Sequence, residues 1–203
     1  MAGIAADPEN IRDVYETQAA QYDSQRSRAL FEARWLARFA ACLPVGGQVL
    51  DLGCGAGEPI ARWFIAEGFR VTGVDFAAAM LDIARTRWPN GDWRQADMRN
   101  FDLEERFDGI VAWNSFFHLT QQEQQGCIAR MAAHLNAGGT LLTTVGPDAG
   151  EVAGTVGDRP VYHASLSPAQ YATCLEENGL RLTGYLAEDP ETNKHSVLMA
   201  RKV

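Results

Sequence analysis

The chain has 203 residues, of which 46% are hydrophobic, and it carries 18 Lys and Arg against 26 Asp and Glu, a formal net charge of −8. This length and composition suit one globular domain and exclude the disordered and coiled-coil classes. Proteins that bind nucleic-acid backbones need clustered cations, so the acidic balance argues against a nucleic-acid partner. No apolar run approaches the roughly 20 residues of a membrane helix, and no secretory signal is visible. We therefore expect a soluble, cytoplasmic protein with no membrane partner.

The cysteines and histidines do not form a metal or disulfide framework. The four cysteines are far apart and contain no CxxC pair, and the four histidines are scattered along the chain. Structural zinc sites and disulfide scaffolds need close and regular spacing of these residues. We expect no metal ion, and thiols that stay reduced.

Two helices are predicted ahead of the first strand. Asp7 can cap a helix whose first position is Pro8, and apolar or aromatic residues follow at helical spacing. A second helix is predicted over residues 27–42, because its aromatic residues recur every fourth position. The segment 43–47, which contains Pro and two Gly, ends that helix.

The middle of the chain alternates between strands and helices. Strands are predicted at 48–52, 70–74, 93–95, 108–113 and 140–145, and helices at 59–66, 77–88 and 121–135. Strands that alternate with helices of this length pair in parallel through right-handed crossovers. The pattern predicts an α/β protein with a doubly wound sheet.

The last third has a different pattern. Residues 146–166 contain several Gly and Pro without periodicity, which predicts a loop long enough to be functional. Ser167 is expected to cap a helix that begins at Pro168 and ends near residue 178. Two closing strands, 180–186 and 196–203, have no helix between them and should pair antiparallel.

A glycine-rich turn is the most specific feature of the sequence. Gly53, Gly55 and Gly57 follow a predicted strand and precede a predicted helix, so the backbone can approach a ligand closely. Asp75 ends the next strand, where an acid can accept hydrogen bonds from both ribose hydroxyls of an adenosine group. A dinucleotide fingerprint would have its third glycine one place later, where this chain has Glu58. The turn therefore favours an adenosyl ligand without a pyrophosphate.

With its flanking segments, this turn resembles the first motif of the class I S-adenosylmethionine-dependent methyltransferases. The likeness extends from about residue 10 to the end of the chain. The segments that carry it are 49–59, 74–76 with 79–81, 95–98, 107–113 and 135–142, together with the leading helix between Tyr15 and Asp23.

The resemblance implies a fold and a cofactor. The fold is a Rossmann-like, doubly wound, seven-stranded sheet of order 3-2-1-4-5-7-6 with strand 7 antiparallel, formed by a single domain, 1–203. The N-terminal helices, 1–45, would cover S-adenosyl-L-methionine, with Asp75 on the ribose and Asp97 near the adenine amino group. The residues expected to bind the cofactor are Tyr15, Tyr22, Asp51, Gly53, Cys54, Gly55, Gly57, Asp75, Phe76, Met80, Asp97, Met98, Trp113 and Asn114.

The acceptor should lie beyond the carboxyl ends of strands 4 and 5, where ligands bind in such sheets. His118 follows strand 4 and could orient or deprotonate an acceptor. Tyr162 and His163 end the substrate-side loop 146–166 and could face His118 across the pocket. The alternatives are a structural histidine at 118 and a solvated loop at 162–163. His195, at the start of the last strand, is a further candidate.

These residues predict a methyltransferase that acts on a small-molecule substrate, as a monomer or homodimer. Asn114 is not followed by the two prolines found in amino-methyltransferases of nucleic acids, which agrees with the acidic charge. One alternative is a cofactor-binding sensor or partner subunit without activity, and another is a macromolecular methyltransferase with a local basic surface.

Overall fold

The computed structural model describes residues 6–203. A 3-10 turn, Pro8–Asn10, leads into helix α1 (Ile11–Gln25), and α2 covers Ala33–Ala40. The Asp7 side chain accepts a hydrogen bond from the Glu9 N–H at 3.0 Å, as the predicted cap requires. The second helix is shorter than predicted because Leu30 has a left-handed φ of 51°, which a helix cannot include. The first five residues of the predicted 1–45 segment lie outside the described part of the chain.

Five parallel strands alternate with helices through the middle of the chain. The strands are β1 (Gln48–Leu52), β2 (Arg70–Asp75), β3 (Asp92–Gln95), β4 (Phe107–Ala112) and β5 (Leu135–Val145). The helices are α3 (Ile60–Ala66), α4 (Ala78–Arg87) and α5 (Gln121–His134). Their bounds agree with the predicted ones to within one residue, except that β5 begins five residues earlier than predicted. Thr120 and Glu123 start α5 with a capping box.

The predicted loop 146–166 is wrong: this segment is a β-hairpin. Strands β6 (Gly150–Val156) and β7 (Arg159–Ser165) pair antiparallel through a two-residue turn at Gly157 and Asp158. Gly157 takes a φ of 59°, as such turns require. Gly154 lies inside β6 and packs against the His163 ring. A Cβ at this position would come within 2.4 Å of that ring, so only glycine fits without a shift. The glycines that suggested a loop serve the turn and the close packing of the hairpin.

The chain ends with helix α6 (Pro168–Glu177) and strands β8 (Leu180–Asp189) and β9 (His195–Lys202). The main sheet has seven strands in the order β3-β2-β1-β4-β5-β9-β8, and β9 runs antiparallel to both of its neighbours. This seven-stranded mixed sheet agrees with the predicted doubly wound fold. The strand numbers depart from the predicted order because the β6–β7 hairpin is inserted before the last two strands.

The sheet is buried between helices on both faces. The larger apolar cluster includes Leu50, Ile110 and Leu141 of the central strands together with α5 and α6. The second cluster packs α2 and α3 on the opposite face around Phe39 and Phe64. Burial on both faces explains why β1 and β4 are almost continuously apolar. Within residues 6–203, no helix is long and apolar enough to span a membrane.

Candidate active site

A cleft lies at the carboxyl ends of β1, β2 and β4, beneath α1. Parallel sheets bind ligands at this edge, where the strand order reverses between β1 and β4. Of the seventeen residues predicted for the site, fourteen line this cleft. They are Tyr15, Tyr22, Asp51, Gly53, Cys54, Gly55, Asp75, Phe76, Met80, Asp97, Met98, Trp113, Asn114 and His118.

The glycine-rich turn packs against the loop after β4. Gly53 has a φ of 81°, and a Cβ there would lie 2.3 Å from that of Ser115. The Ser115 hydroxyl donates to the Leu52 carbonyl at 2.7 Å, which fixes this approach. Gly57 does not line the cleft; it makes room for the ring of Trp93, 2.9 Å from its would-be Cβ. The predicted binding role of Gly57 is therefore a packing role in this structure.

Asp75 lies at the end of β2 with its carboxylate held by the backbone. Its Oδ2 accepts from the Gly55 N–H at 2.8 Å and its Oδ1 from the Ala77 N–H at 2.9 Å. Burial raises the pKa of Asp75 to about 6, although these backbone donors favour the charged form. Each oxygen keeps a lone pair for a ligand hydroxyl.

Asp51, at the end of β1, is buried deeper in the cleft. Burial raises its pKa to about 7, the Asp75 carboxylate adds to this effect, and Arg26 opposes it. Its Oδ2 is buried and has no hydrogen-bond partner among the described residues. Such a carboxylate suits a cationic group of a ligand.

Arg26 also lines the cleft, and sequence reasoning missed it. It directly follows α1, and its guanidinium bonds the buried carboxylate of Glu32 at 2.5 Å. The guanidinium is near enough to Asp51 to oppose the rise in its pKa. No local pattern separates Arg26 from the other arginines, because its position depends on where α1 docks.

Helix α1 is held over the cleft by side chains from its whole length. Both oxygens of Glu16 accept backbone N–H groups at the start of α4, at 2.8 and 2.9 Å. Asp23 pairs with Arg87 at 2.7 Å. On the same helix, the Tyr15 and Tyr22 rings meet edge to face, with centroids 5.3 Å apart. The predicted covering position of this helix agrees with these contacts.

His118 lies in the short 3-10 turn Phe116–His118 after β4, with both ring nitrogens occupied. Its Nδ1 is 2.9 Å from the carbonyl oxygen of Tyr162, and its Nε2 is 2.9 Å from the hydroxyl of Tyr15. Burial lowers the pKa of His118 to about 4. The imidazole is therefore neutral at physiological pH.

The other predicted catalytic side chains do not line the cleft. Tyr162 contributes its carbonyl to His118, but its ring packs with Ile11 and Val14 of α1. His163 lies behind His118, with ring centroids 4.9 Å apart. His195 stacks on Phe31 at 5.6 Å and is also outside the cleft. Of the three side chains expected to meet at the acceptor, only that of His118 lines the cleft in the described part of the chain. The hairpin places the side chains of Tyr162 and His163 outside it.

The adenine side of the predicted site is only partly as expected. Asp97 lines the cleft, but its carboxylate pairs with Arg99 at 2.7 Å and accepts the Arg99 backbone N–H. Asn114 follows β4 with a left-handed φ of 56°, and its buried Oδ1 has no hydrogen-bond partner within residues 6–203. Both residues remain candidates for ligand contact.

Comparison with known proteins finds a similar family over the cofactor half of the chain. Residues 49–139, which hold the glycine-rich turn, Asp75 and β4, match a family model described as "Methyltransferase domain". This match covers less than half of the chain and supports a class I S-adenosylmethionine-dependent methyltransferase. The match ends before the hairpin, so the family assignment is carried by the cofactor side of the cleft.

Curated relatives match about half of this chain. It is 34% identical over 102 residues to the putative methyltransferase YqeM of Bacillus subtilis, covering 48% of this chain and 40% of that one. It is 34% identical over 102 residues to the dTDP-3-amino-3,6-dideoxy-alpha-D-glucopyranose N,N-dimethyltransferase of Streptomyces fradiae, covering 49% and 39%. The trans-aconitate 2-methyltransferase of an Enterobacter strain is 42% identical over 96 residues, covering 45% and 35%. The chain thus spans 35–40% of the length of these relatives.

Solved structures extend the likeness in fold to nearly the whole chain. CalS10, an amino pentose methyltransferase from Micromonospora echinaspora solved with SAM bound, has a TM-score of 0.72 at 22% identity, covering 92% of this chain and 96% of that one. The magnesium protoporphyrin IX methyltransferase ChlM of Synechocystis has a TM-score of 0.72 at 16% identity and covers both chains fully. At these identities the likeness concerns the fold.

The residues in the cleft fit the family's cofactor, which combines an adenosine, a sulfonium and a zwitterionic amino acid. Asp75 presents free lone pairs where ribose hydroxyls would bind. Asp51 has an unpartnered oxygen for an ammonium group, and Arg26 faces the same space for a carboxylate. Asp51 and Asp75, which have no ion-pair partner among the described residues, would also favour the sulfonium charge.

Proposed function

We propose that this chain is a methyltransferase that uses S-adenosyl-L-methionine to methylate a small-molecule acceptor. The observation that carries the proposal is the cleft itself, in which Asp75, Asp51 and Arg26 present an acid for ribose and opposite charges for an amino acid. When bound, S-adenosyl-L-methionine supplies an electrophilic methyl group. The protein then needs mainly to position the nucleophile in line with it.

The cofactor is held by residues of three elements. Asp75 accepts the ribose hydroxyls, Asp51 the ammonium group, and Arg26 donates to the carboxylate. Tyr15 and Tyr22 of α1 cover it, and closure of this helix excludes water. The ion pair between Asp23 and Arg87 and the Glu16 cap of α4, which hold α1 in place, support this covering role.

His118 and Tyr15 form the wall next to the transferred methyl group. Their hydrogen bond of 2.9 Å joins the loop after β4 to α1. Because the pKa of His118 is lowered to about 4, we assign it to orienting Tyr15 and the acceptor and not to general-base catalysis. Tyr162 takes part through its backbone, and His163 supports His118 from behind.

The acceptor is proposed to be small because α1 covers the cleft. Relatives named for an amino sugar and for trans-aconitate both act on small molecules, and they leave the chemical class of the acceptor open. An open basic surface, which a nucleic-acid substrate would need, is not favoured by the formal charge of −8.

Calorimetry with S-adenosylmethionine and S-adenosylhomocysteine tests the proposal first. We expect binding of both, and Asp75→Asn should weaken it by at least tenfold through loss of charge-assisted hydrogen bonds. The control is Asp82→Asn, an exposed acid on the outer face of α4 whose change should leave binding unaltered. Equal affinities in the wild type and Asp75→Asn would contradict the assignment. Binding without release of S-adenosylhomocysteine in any metabolite fraction would favour a cofactor sensor instead.

A further inference from the structure

The hydrogen-bond direction at His118 is determined by its neighbours. The carbonyl oxygen of Tyr162 can only accept, so the Nδ1 of His118, 2.9 Å away, carries the ring hydrogen. Because burial keeps the ring neutral, its Nε2 has a bare lone pair. The Tyr15 hydroxyl, 2.9 Å from Nε2, must therefore donate.

The Tyr15 hydroxyl can therefore only accept a hydrogen bond from a group in the cleft. A phenol has a single hydrogen, and this one is used on His118. Burial, with the nearby Tyr22 and Asp75, raises the pKa of Tyr15 well above its usual value, so it remains a phenol. A group that binds Tyr15 from the cleft must bring its own hydrogen, which a carboxylate or phosphate oxygen lacks at neutral pH.

The charged groups around the cleft also disfavour an anionic acceptor. Its lining includes six carboxylates, of which Asp23, Glu58, Asp97 and Glu123 are paired with arginines, and Asp51 and Asp75 are assigned to the cofactor. The two lining guanidinium groups are already paired: Arg26 with Glu32, and Arg99 with Asp97, Glu9 and Glu123. An anionic acceptor would find no guanidinium in the described lining that is free of a carboxylate partner, whereas an amine that binds in its neutral form needs none.

The neutral wall also separates amines from alcohols. An alcohol becomes a strong nucleophile only when a base removes its proton, and neither His118 nor the phenol of Tyr15 is such a base at neutral pH. The lone pair of a free amine needs no such base. An N–H group can donate to Tyr15 while its lone pair points toward the methyl group.

We propose that the acceptor is a primary or secondary amine free of phosphate and carboxylate groups, held by an N–H···O hydrogen bond to Tyr15. This inference rests on the proposed function. In the step, the nitrogen lone pair forms the new N–C bond while the S–C electron pair remains on sulfur as a neutral thioether. The extra proton of the resulting N-methylammonium leaves to solvent.

Transfer of a labelled methyl group tests the class of acceptor. The protein is incubated with S-adenosylmethionine labelled with ¹⁴C in its methyl group and a size-filtered metabolite extract, and the products are separated by ion exchange. We expect the label in a base-stable product that a cation exchanger retains and an anion exchanger does not. A base-labile methyl ester, or a product retained as an anion, overturns the inference and leaves the proposed function intact. If calorimetry confirms cofactor binding but no small molecule is labelled, the proposed function fails and the inference with it.

Two further measurements address Tyr15 and His118 directly. Tyr15→Phe should lower kcat/KM for the labelled amine by roughly tenfold or more, because the hydrogen-bond acceptor is lost. Tyr185→Phe is the matched control, since its hydroxyl binds the Pro147 carbonyl at 3.0 Å outside the cleft. Nitrogen NMR should find His118 neutral at pH 7 with its hydrogen on Nδ1. A charged ring, or a hydrogen on Nε2, reverses the direction at Tyr15 and overturns the inference.

Discussion

The guanidinium of Arg26 joins the cleft to a fully buried carboxylate, that of Glu32, at 2.5 Å. One oxygen of Glu32 accepts this bond and the other has no partner among residues 6–203. A buried charge of this kind is tolerated because it is paired, and the pairing fixes the direction in which Arg26 presents its remaining N–H groups.

Replacing Arg26 should remove recognition of the cofactor's carboxylate. We expect Arg26→Met to weaken S-adenosylmethionine by about 10- to 100-fold, since a hydrogen bond between charged groups contributes roughly 1.5–3 kcal/mol. Decarboxylated S-adenosylmethionine should lose much less affinity. Calorimetry with both ligands measures the difference, and Arg34→Met, which breaks only an exposed pair with Glu191, is the control. The same loss for both ligands would place the carboxylate elsewhere.

Asp51 should make cofactor binding depend on pH. Its pKa is raised to about 7 in the folded protein, so the proton-bound form is favoured below that pH and stability is lost as the pH rises through it. A bound ammonium group needs the charged form. Affinity for S-adenosylhomocysteine should therefore increase between pH 5.5 and 8, while the unliganded protein becomes less stable over the same range.

Asp51→Asn is the matched variant for this pH effect. It should bind more weakly at pH 8, and the pH dependence of its affinity and its unfolding free energy should decrease to the part contributed by Asp75, whose pKa is raised to about 6. Calorimetry and urea unfolding at several pH values provide both readouts. A wild-type affinity that stays constant from pH 5.5 to 8 would contradict the assigned role of Asp51.

The approach of the glycine turn to the loop after β4 can be tested with two alanine variants. Gly53→Ala adds a Cβ 2.3 Å from that of Ser115, whereas Gly68→Ala adds a Cβ with no described atom within 4 Å. The two glycines have similar φ values, 81° and 85°, so they are matched in backbone conformation. Both variants carry the backbone cost of roughly 1 kcal/mol. Gly53→Ala should lose at least about 1 kcal/mol more in unfolding free energy. Equal losses would mean that the contact is relieved at no cost.

Glu16 should control how firmly α1 covers the cleft. Its carboxylate caps the start of α4 with two backbone hydrogen bonds, each between elements over 60 residues apart in sequence. Glu16→Gln should speed amide hydrogen exchange in α1 and raise the Kd for S-adenosylhomocysteine several-fold. Glu67→Gln, an exposed change at the end of α3, serves as the control. Unaltered exchange in α1 would show that other contacts suffice to dock it.

The sequence predicts best those parts that depend on local pattern. Strand β1 has the predicted bounds, and Gly53, Gly55 and Asp75 line the cleft as expected, because both features depend on spacing along the chain. The hairpin was missed, although Gly157 and Asp158 between two β-rich runs are a hairpin signal, because glycine content outweighed it. Arg26 and the hydrogen-bond direction at His118 could not be predicted. Both depend on contacts between segments far apart in sequence, such as Tyr15 with His118.

The atom that fixes the imidazole of His118 belongs to the main chain of Tyr162. A carbonyl oxygen is supplied by every residue type, so replacing the side chain at 162 preserves the tautomer as long as the strand keeps its register. Saturation mutagenesis would therefore classify this position by packing alone. Deletion or insertion of one residue in the hairpin would instead move the carbonyl and change the chemistry of the wall. Under the proposed function, a change in hairpin length would alter the acceptor preference while every residue proposed to touch the cofactor stays the same.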